Sequence, residues 1–92
     1  SIIPYKIKNL KKINNYVLET ESVKNSLKKI QLDLRNKYNG RLLVRPSGTE
    51  PIVRILVECE HNDKIDQYIS KIQDLLVKEN SVEWTNTKHQ EF

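Results

Sequence analysis

Arg45, Ser47, Gly48, Thr49 and Arg54 fall within one short stretch, GRLLVRPSGTEPIVRILVE from Gly40 to Glu58, and their chemistries converge on one kind of ligand. A phosphate dianion needs several donors arranged around it. The hydroxyls of Ser47 and Thr49, the backbone N–H groups around Gly48 and the guanidinium groups of Arg45 and Arg54 are donors of that kind. Glycine lets the backbone approach a ligand closely, and the planar arginine fork can donate two parallel hydrogen bonds to phosphate oxygens. Pro46 and Pro51 restrict the loop at each end, which lowers the ordering cost when an anion binds. A plainer reading also fits, because Pro, Ser and Gly are ordinary turn residues and single arginines are ordinary surface residues. Chemistry alone leaves both readings open.

The elements that must position this loop follow from apolar periodicity. Leu42, Leu43 and Val44 before it, and Ile52, Val53, Ile55, Leu56 and Val57 after it, are β-favouring runs bounded by Gly40, Pro46 and Pro51, so the loop is expected to join two antiparallel strands. Both arginines can then reach a ligand at the loop if their faces agree. Upstream, Val23, Leu27, Ile30, Leu34 and Tyr38 form one helical stripe, with Thr20 as N-cap, Glu21 in the first turn and Asn39-Gly40 as the stop. Downstream, Ile65, Ile69, Ile72 and Leu76, widened by Tyr68 and Leu75, predict a second helix from near Asn62 or Asp63 to near Glu79-Asn80. Tyr5 to Ile13 reads as a first strand with one buried face, at or near an edge where lysines discourage further pairing. Ser81 to Trp84 is a candidate last strand, and residues 85–92 read as a flexible tail after a single domain over residues 1–84. The order β-α-β-β-α predicts an α+β fold, a two-layer sandwich of an antiparallel sheet with both helices on one face.

Composition bounds what such a chain can be. At 92 residues it fits one domain and one small core, too little for a multi-domain enzyme with its own cleft. Hydrophobic residues at 37% and charged residues at 30% describe a soluble globular domain, and a membrane partner is not expected. The start, Ser1-Ile2-Ile3-Pro4, lacks the features of a signal peptide, and a chain without methionine is expected to be processed or a piece of something longer. The single Cys59 excludes an internal disulfide, suits a reducing compartment and is expected to be a buried, inert thiol. Net charge is +4, but the lysines at 6, 8, 11 and 12 and along both helices are spread out, and solvated faces explain most of them.

Arg45-Pro46-Ser47-Gly48-Thr49-Glu50-Pro51, followed by Arg54 and the Ile-Leu-Val-Glu run, resembles the signature of the C-terminal domain of the α-D-phosphohexomutases. Within that superfamily it is most similar to the bacterial phosphoglucosamine mutases, and the element order fits the domain from about Pro4 to Asn80. The resemblance implies a TATA-box-binding-protein-like α+β fold, the last of four domains, which rotates to close the cleft over a phosphosugar. It implies that Arg45, Ser47, Gly48 and Thr49 contact the substrate phosphate, with Arg54 a second cationic contact. Glu50 matches the motif but would repel phosphate, so its expected role, with Pro46 and Pro51, is to organise the loop or bond an arginine. The implied parent enzyme is cytoplasmic and interconverts glucosamine 6-phosphate and glucosamine 1-phosphate through a bisphosphorylated intermediate, for UDP-N-acetylglucosamine synthesis. It uses an active-site phosphoserine and Mg²⁺ held by aspartates. Neither has its sequence context here, so the chain is expected to hold no metal and no catalytic residue. Its implied partners are the phosphosugar, a hexosamine phosphate, and the other domains of the same chain. A phosphoglucomutase or phosphomannomutase parent is the alternative.

Other constellations are weaker. His61 and His89 lie far apart with no ligand cluster, so each reads as a surface imidazole, and no Ser-His-Asp or Cys-His arrangement is supported. Trp84 and the four tyrosines are scattered, with Tyr38 and Tyr68 on or beside helix stripes where core packing explains them. A basic α+β nucleic-acid-binding module is the alternative of another class. The strands carry no aromatic pair for stacking bases, and nucleic acid is not expected as a partner.

Overall fold

A computed structural model describes residues 2–90. The elements are β1 (Tyr5–Lys11), a 3-10 turn (Asn15–Glu19), α1 (Glu21–Tyr38), β2 (Arg41–Pro46), β3 (Ile52–Glu58) and α2 (Asn62–Gln90). The strands form one antiparallel sheet in the order β1-β3-β2, so the hairpin expected around the loop is present and β1 lies at an edge. Both helices cover the same face of that sheet, as the α+β sandwich requires.

Helix α1 begins and ends where its caps dictate. The Thr20 side chain accepts a hydrogen bond from the Val23 N–H, and Glu21 in the first turn and Arg35 and Lys37 in the last complement the helix dipole. Asn39 takes the left-handed conformation at φ 51°, and the N–H of Gly40 donates to the carbonyl of Leu34 at 3.2 Å. Gly40 is a glycine for want of space: a Cβ there would lie 2.5 Å from the Glu58 carbonyl oxygen and 2.6 Å from Cys59 Cβ.

Strand β3 is the centre of the molecule. Val53, Ile55 and Val57 alternate onto the helix side and are fully buried against Val23, Leu34, Ile65, Ile72 and Leu76. Its other residues, Ile52, Arg54, Leu56 and Glu58, face the open side. Cys59 is buried, as expected, and its Sγ donates to the His61 carbonyl. Tyr68 is buried and Tyr38 half-buried in edge-to-face contact with it and with the exposed His61.

Two expected boundaries move. The first strand stops at Lys11, because Lys12 adopts φ 62°, and Leu10 is its one buried residue. Ile13 reaches the core beyond the strand, held by its N–H to the Pro51 carbonyl at 3.1 Å. On the helix side of β1, Lys6 instead reaches Asp66 of α2 at 2.7 Å. The candidate strand Ser81–Trp84 is helix, since α2 continues to Gln90. Nothing in that stretch breaks a helix: it contains neither Gly nor Pro, and Asn80 does not cap. Its amide is engaged sideways, donating to the Lys12 carbonyl at 3.1 Å and accepting from the Asn14 N–H at 2.8 Å. The backbone of residues 85–90, expected to be tail, is part of this helix, whereas Glu91, Phe92 and the side chains of Trp84 and His89 lie outside the described residues. Among the described residues no helix is long and apolar enough to cross a membrane.

Candidate functional site, an anion cleft on the open sheet face

The β2–β3 loop is organised from within. The Ser47 N–H donates to the Ile52 carbonyl at 2.9 Å, and the Ser47 hydroxyl donates to the Glu50 carbonyl at 2.7 Å while accepting from the Glu50 N–H at 3.2 Å. The Ile52 N–H closes the turn onto the Glu50 carbonyl at 2.7 Å. Gly48 sits at the tip with φ 101°, a conformation that side chains strongly disfavour, and a Cβ there would meet nothing within 4 Å. Glu50 therefore organises the loop through its backbone. Ser47 shares that work, and its hydroxyl proton is committed to the Glu50 carbonyl.

Register decides what lies beside the loop. Arg45 and Arg54 are direct cross-strand partners, so their side chains leave the same, open face of the sheet. On the far side of β3, Arg54 is opposite Asn9, and Arg54 Nε donates to Asn9 Oδ1 at 3.1 Å. A cleft of about 460 Å³ opens there, lined by Asn9, Lys11, Arg45, Pro46, Ser47, Ile52 and Arg54. It holds three cationic side chains and no carboxylate. The face continues into an apolar shelf of Ile7, Leu43 and Leu56 beside the two arginines. At its far end Arg41 is paired with Glu58, so the uncompensated positive charge is at the loop end. Among the described residues neither Arg45 nor Arg54 makes an ion pair.

The structure thus gathers Arg45, Pro46, Ser47 and Arg54 around one cleft, and Gly48 follows Ser47 in the loop. Thr49, Glu50 and Pro51 instead line a second cavity behind the loop, with Lys12, Asn14, Asn15 and Asn80. There the Asn15 amide donates to the Glu50 carbonyl at 3.3 Å and supports the loop from the rear. Sequence reasoning did not single out Asn9, Lys11 or Asn15. For Asn9 and Lys11 the only signal is alternation along β1, which becomes informative once the register against β3 is known, and Asn15, beyond that strand, carries none.

Residues 5–75 match the family described as phosphoglucomutase/phosphomannomutase, C-terminal domain. The phosphoglucosamine mutase of Thermoanaerobacter sp. (strain X514) is 39% identical over 75 residues, covering 82% of this chain and 16% of the relative. That of Streptococcus agalactiae serotype Ia is 34% identical over 79 residues, covering 83% of this chain and 17% of the relative. The chain thus spans about a sixth of the length of the curated relatives it matches. Among solved structures, the N-acetylphosphoglucosamine mutase of Aspergillus fumigatus in complex with GlcNAc-6P and magnesium shares the fold, with a TM-score of 0.71 at 14% identity. The match covers 87% of this chain and 16% of that one. With a family match over most of its length and relatives above 30% identity, this chain belongs to the phosphoglucomutase/phosphomannomutase C-terminal domain family.

Proposed function

We propose that this chain is the substrate-phosphate-binding domain of a cytoplasmic phosphoglucosamine mutase, the enzyme that interconverts glucosamine 6-phosphate and glucosamine 1-phosphate. The observation that carries the proposal is the Arg45–Arg54 cross-strand pair at the mouth of the Ser47–Gly48 turn. Like charges placed directly opposite each other destabilise a sheet, and a bound phosphate dianion offsets that repulsion. In this reading the two guanidinium groups and the loop hold the phosphate that is not being transferred. Holding it fixes the sugar relative to groups elsewhere in the full-length protein, and binding energy spent there helps to close the cleft and orient the reacting oxygen. Two relatives are named phosphoglucosamine mutase, and the Aspergillus neighbour was solved with GlcNAc-6P, both of which support the substrate class.

The same neighbour was solved with magnesium, which supports a Mg²⁺ requirement in the full-length enzyme. Bound there, the ion would neutralise charge on the phosphoryl group in transfer. The residues of this chain do not fit it: among those described, no three His, Cys, Asp or Glu side chains cluster as ligands, and the cleft is cationic. Sugar choice likewise belongs to the rest of the protein, and the family description covers glucose and mannose phosphomutases as well.

The test is Arg45→Ala in the full-length enzyme. It should lower kcat/KM by roughly 30- to 150-fold, the equivalent of about 2–3 kcal/mol for a charge-assisted bidentate contact, with an unaltered circular dichroism spectrum. Unchanged kinetics would overturn the proposal. Assays on glucosamine, glucose and mannose 6-phosphates identify the sugar, and tight duplex binding by this chain at physiological salt would favour the nucleic-acid alternative.

A further inference from the structure

We infer that strand β1 forms a third wall of the anion site, with Lys11 as a direct cationic contact to the bound phosphate and Asn9 as a positioning residue for Arg54. The inference rests on the phosphate-binding reading above and extends it to two residues outside the loop.

Three observations carry it. First, Leu10 is buried on the helix side, so its neighbours Asn9 and Lys11 emerge on the open face, beside Arg54 and Ile52 in register. Both line the same cleft as Arg45 and Ser47. Second, the bond from Arg54 to Asn9 uses Nε and leaves both terminal nitrogens of the guanidinium for a ligand. A neutral amide fixes the arginine without cancelling its charge. A carboxylate at position 9 would hold it equally well, yet would place a negative charge against the incoming phosphate. Third, among the described residues Lys11 has no acidic partner, although Lys6 on the opposite face of the same strand is paired with Asp66. Lys11 is a point charge on a flexible stem, suited to following a phosphate oxygen that the Arg54 fork, held by Asn9, already orients.

The experiment titrates inorganic phosphate and glucosamine 6-phosphate into the 92-residue chain and follows the amide resonances of residues 45–54 by NMR. Wild type should show saturable shifts, lost in Arg45→Ala. Lys11→Gln should raise Kd roughly fivefold and Lys11→Arg should restore it. Asn9→Ala should raise Kd by a similar factor and shift the Arg54 Nε–H resonance, whereas a purely structural role would leave Kd unmoved while the fold persists. Amide dispersion in the same spectra confirms that each exposed variant is folded. If Arg45→Ala destroys binding while Lys11→Gln or Asn9→Ala leaves Kd unchanged, the β1 assignment is wrong and the loop assignment stands. If wild type shows no shifts up to about 50 mM of either probe, both are wrong.

Discussion

At the scale of single residues, the two glycines have opposite reasons to be glycine, and the difference is measurable. Gly40 is buried in a place where a Cβ would fall 2.5 Å from a backbone oxygen and 2.9 Å from Leu34 Cγ. Neither atom can yield without moving β3 or α1. Gly48 stands in open space but at φ 101°, where an L-residue is strained by its own backbone. Gly40→Ala is therefore expected to cost about 3 kcal/mol or more through overpacking, and Gly48→Ala about 1–2 kcal/mol through strain. Urea denaturation would show both as a lower midpoint with unchanged m. Only Gly48→Ala should also weaken phosphate binding, because strain there is passed to its neighbour Ser47, which lines the cleft. A Gly40→Ala loss much smaller than that of Gly48→Ala would contradict the close approach of α1 and β3.

At the scale of elements, α1 was legible because its signals are local: a side-chain cap, a stripe of period near 3.6 and an Asn-Gly stop all sit within the segment they define. The hairpin was legible for the same reason. What the sequence left open was register, and register is what brings Arg45, Arg54, Asn9 and Lys11 to one cleft. The end of α2 was misread because Asn80 looks like a stop signal, while its amide bridges Lys12 and Asn14 in a segment far away along the chain. A second long-range tie joins the helices: the Tyr68 hydroxyl donates to Asp33 Oδ2 at 2.6 Å, and Lys37 pairs with the other oxygen at 3.0 Å. The hydrogen bond from Tyr68, then that from Lys37, hold the Asp33 carboxyl below its ordinary value of 3.8, and burial with the same hydrogen bond pushes the Tyr68 phenol upward. The signs follow from linkage. A lowered carboxyl contributes stability above its unfolded value and loses it as pH falls through the folded one, and a raised phenol loses its contribution as pH rises above about 10. Tyr68→Phe is therefore expected to lower Tm near neutrality and to flatten both the acid limb below about pH 4 and the alkaline limb of a Tm–pH profile. Parallel profiles for wild type and variant would show that the bond contributes nothing.

At the scale of the whole molecule, the packed body and the long helix part company. The radius of gyration is 14.2 Å, against about 12 Å for a compact domain of this length. The molecule measures 55 × 23 × 18 Å, and α2, at roughly 1.5 Å per residue, is long enough to account for most of the longest dimension. Among the described residues, Leu76 is the last of the core cluster, and Asn80 ties α2 to the segment that follows β1. Stability should accordingly depend on α2 as far as Asn80. Removing residues 83–92 keeps the Leu76 packing and both Asn80 hydrogen bonds, and is the reference for a second, longer deletion. Removing residues 78–92 also deletes the two Asn80 hydrogen bonds that hold the end of β1 beside the rear of the loop. Two such bonds at about 1 kcal/mol each correspond to a fall of roughly 8–16 °C in Tm for a domain of this size. The longer deletion should in addition weaken phosphate binding, because Asn15, which follows that bend, supports Glu50 from behind. Equal effects of the two deletions on Tm and on binding would show that the Asn80 tie does not couple the helix to the site.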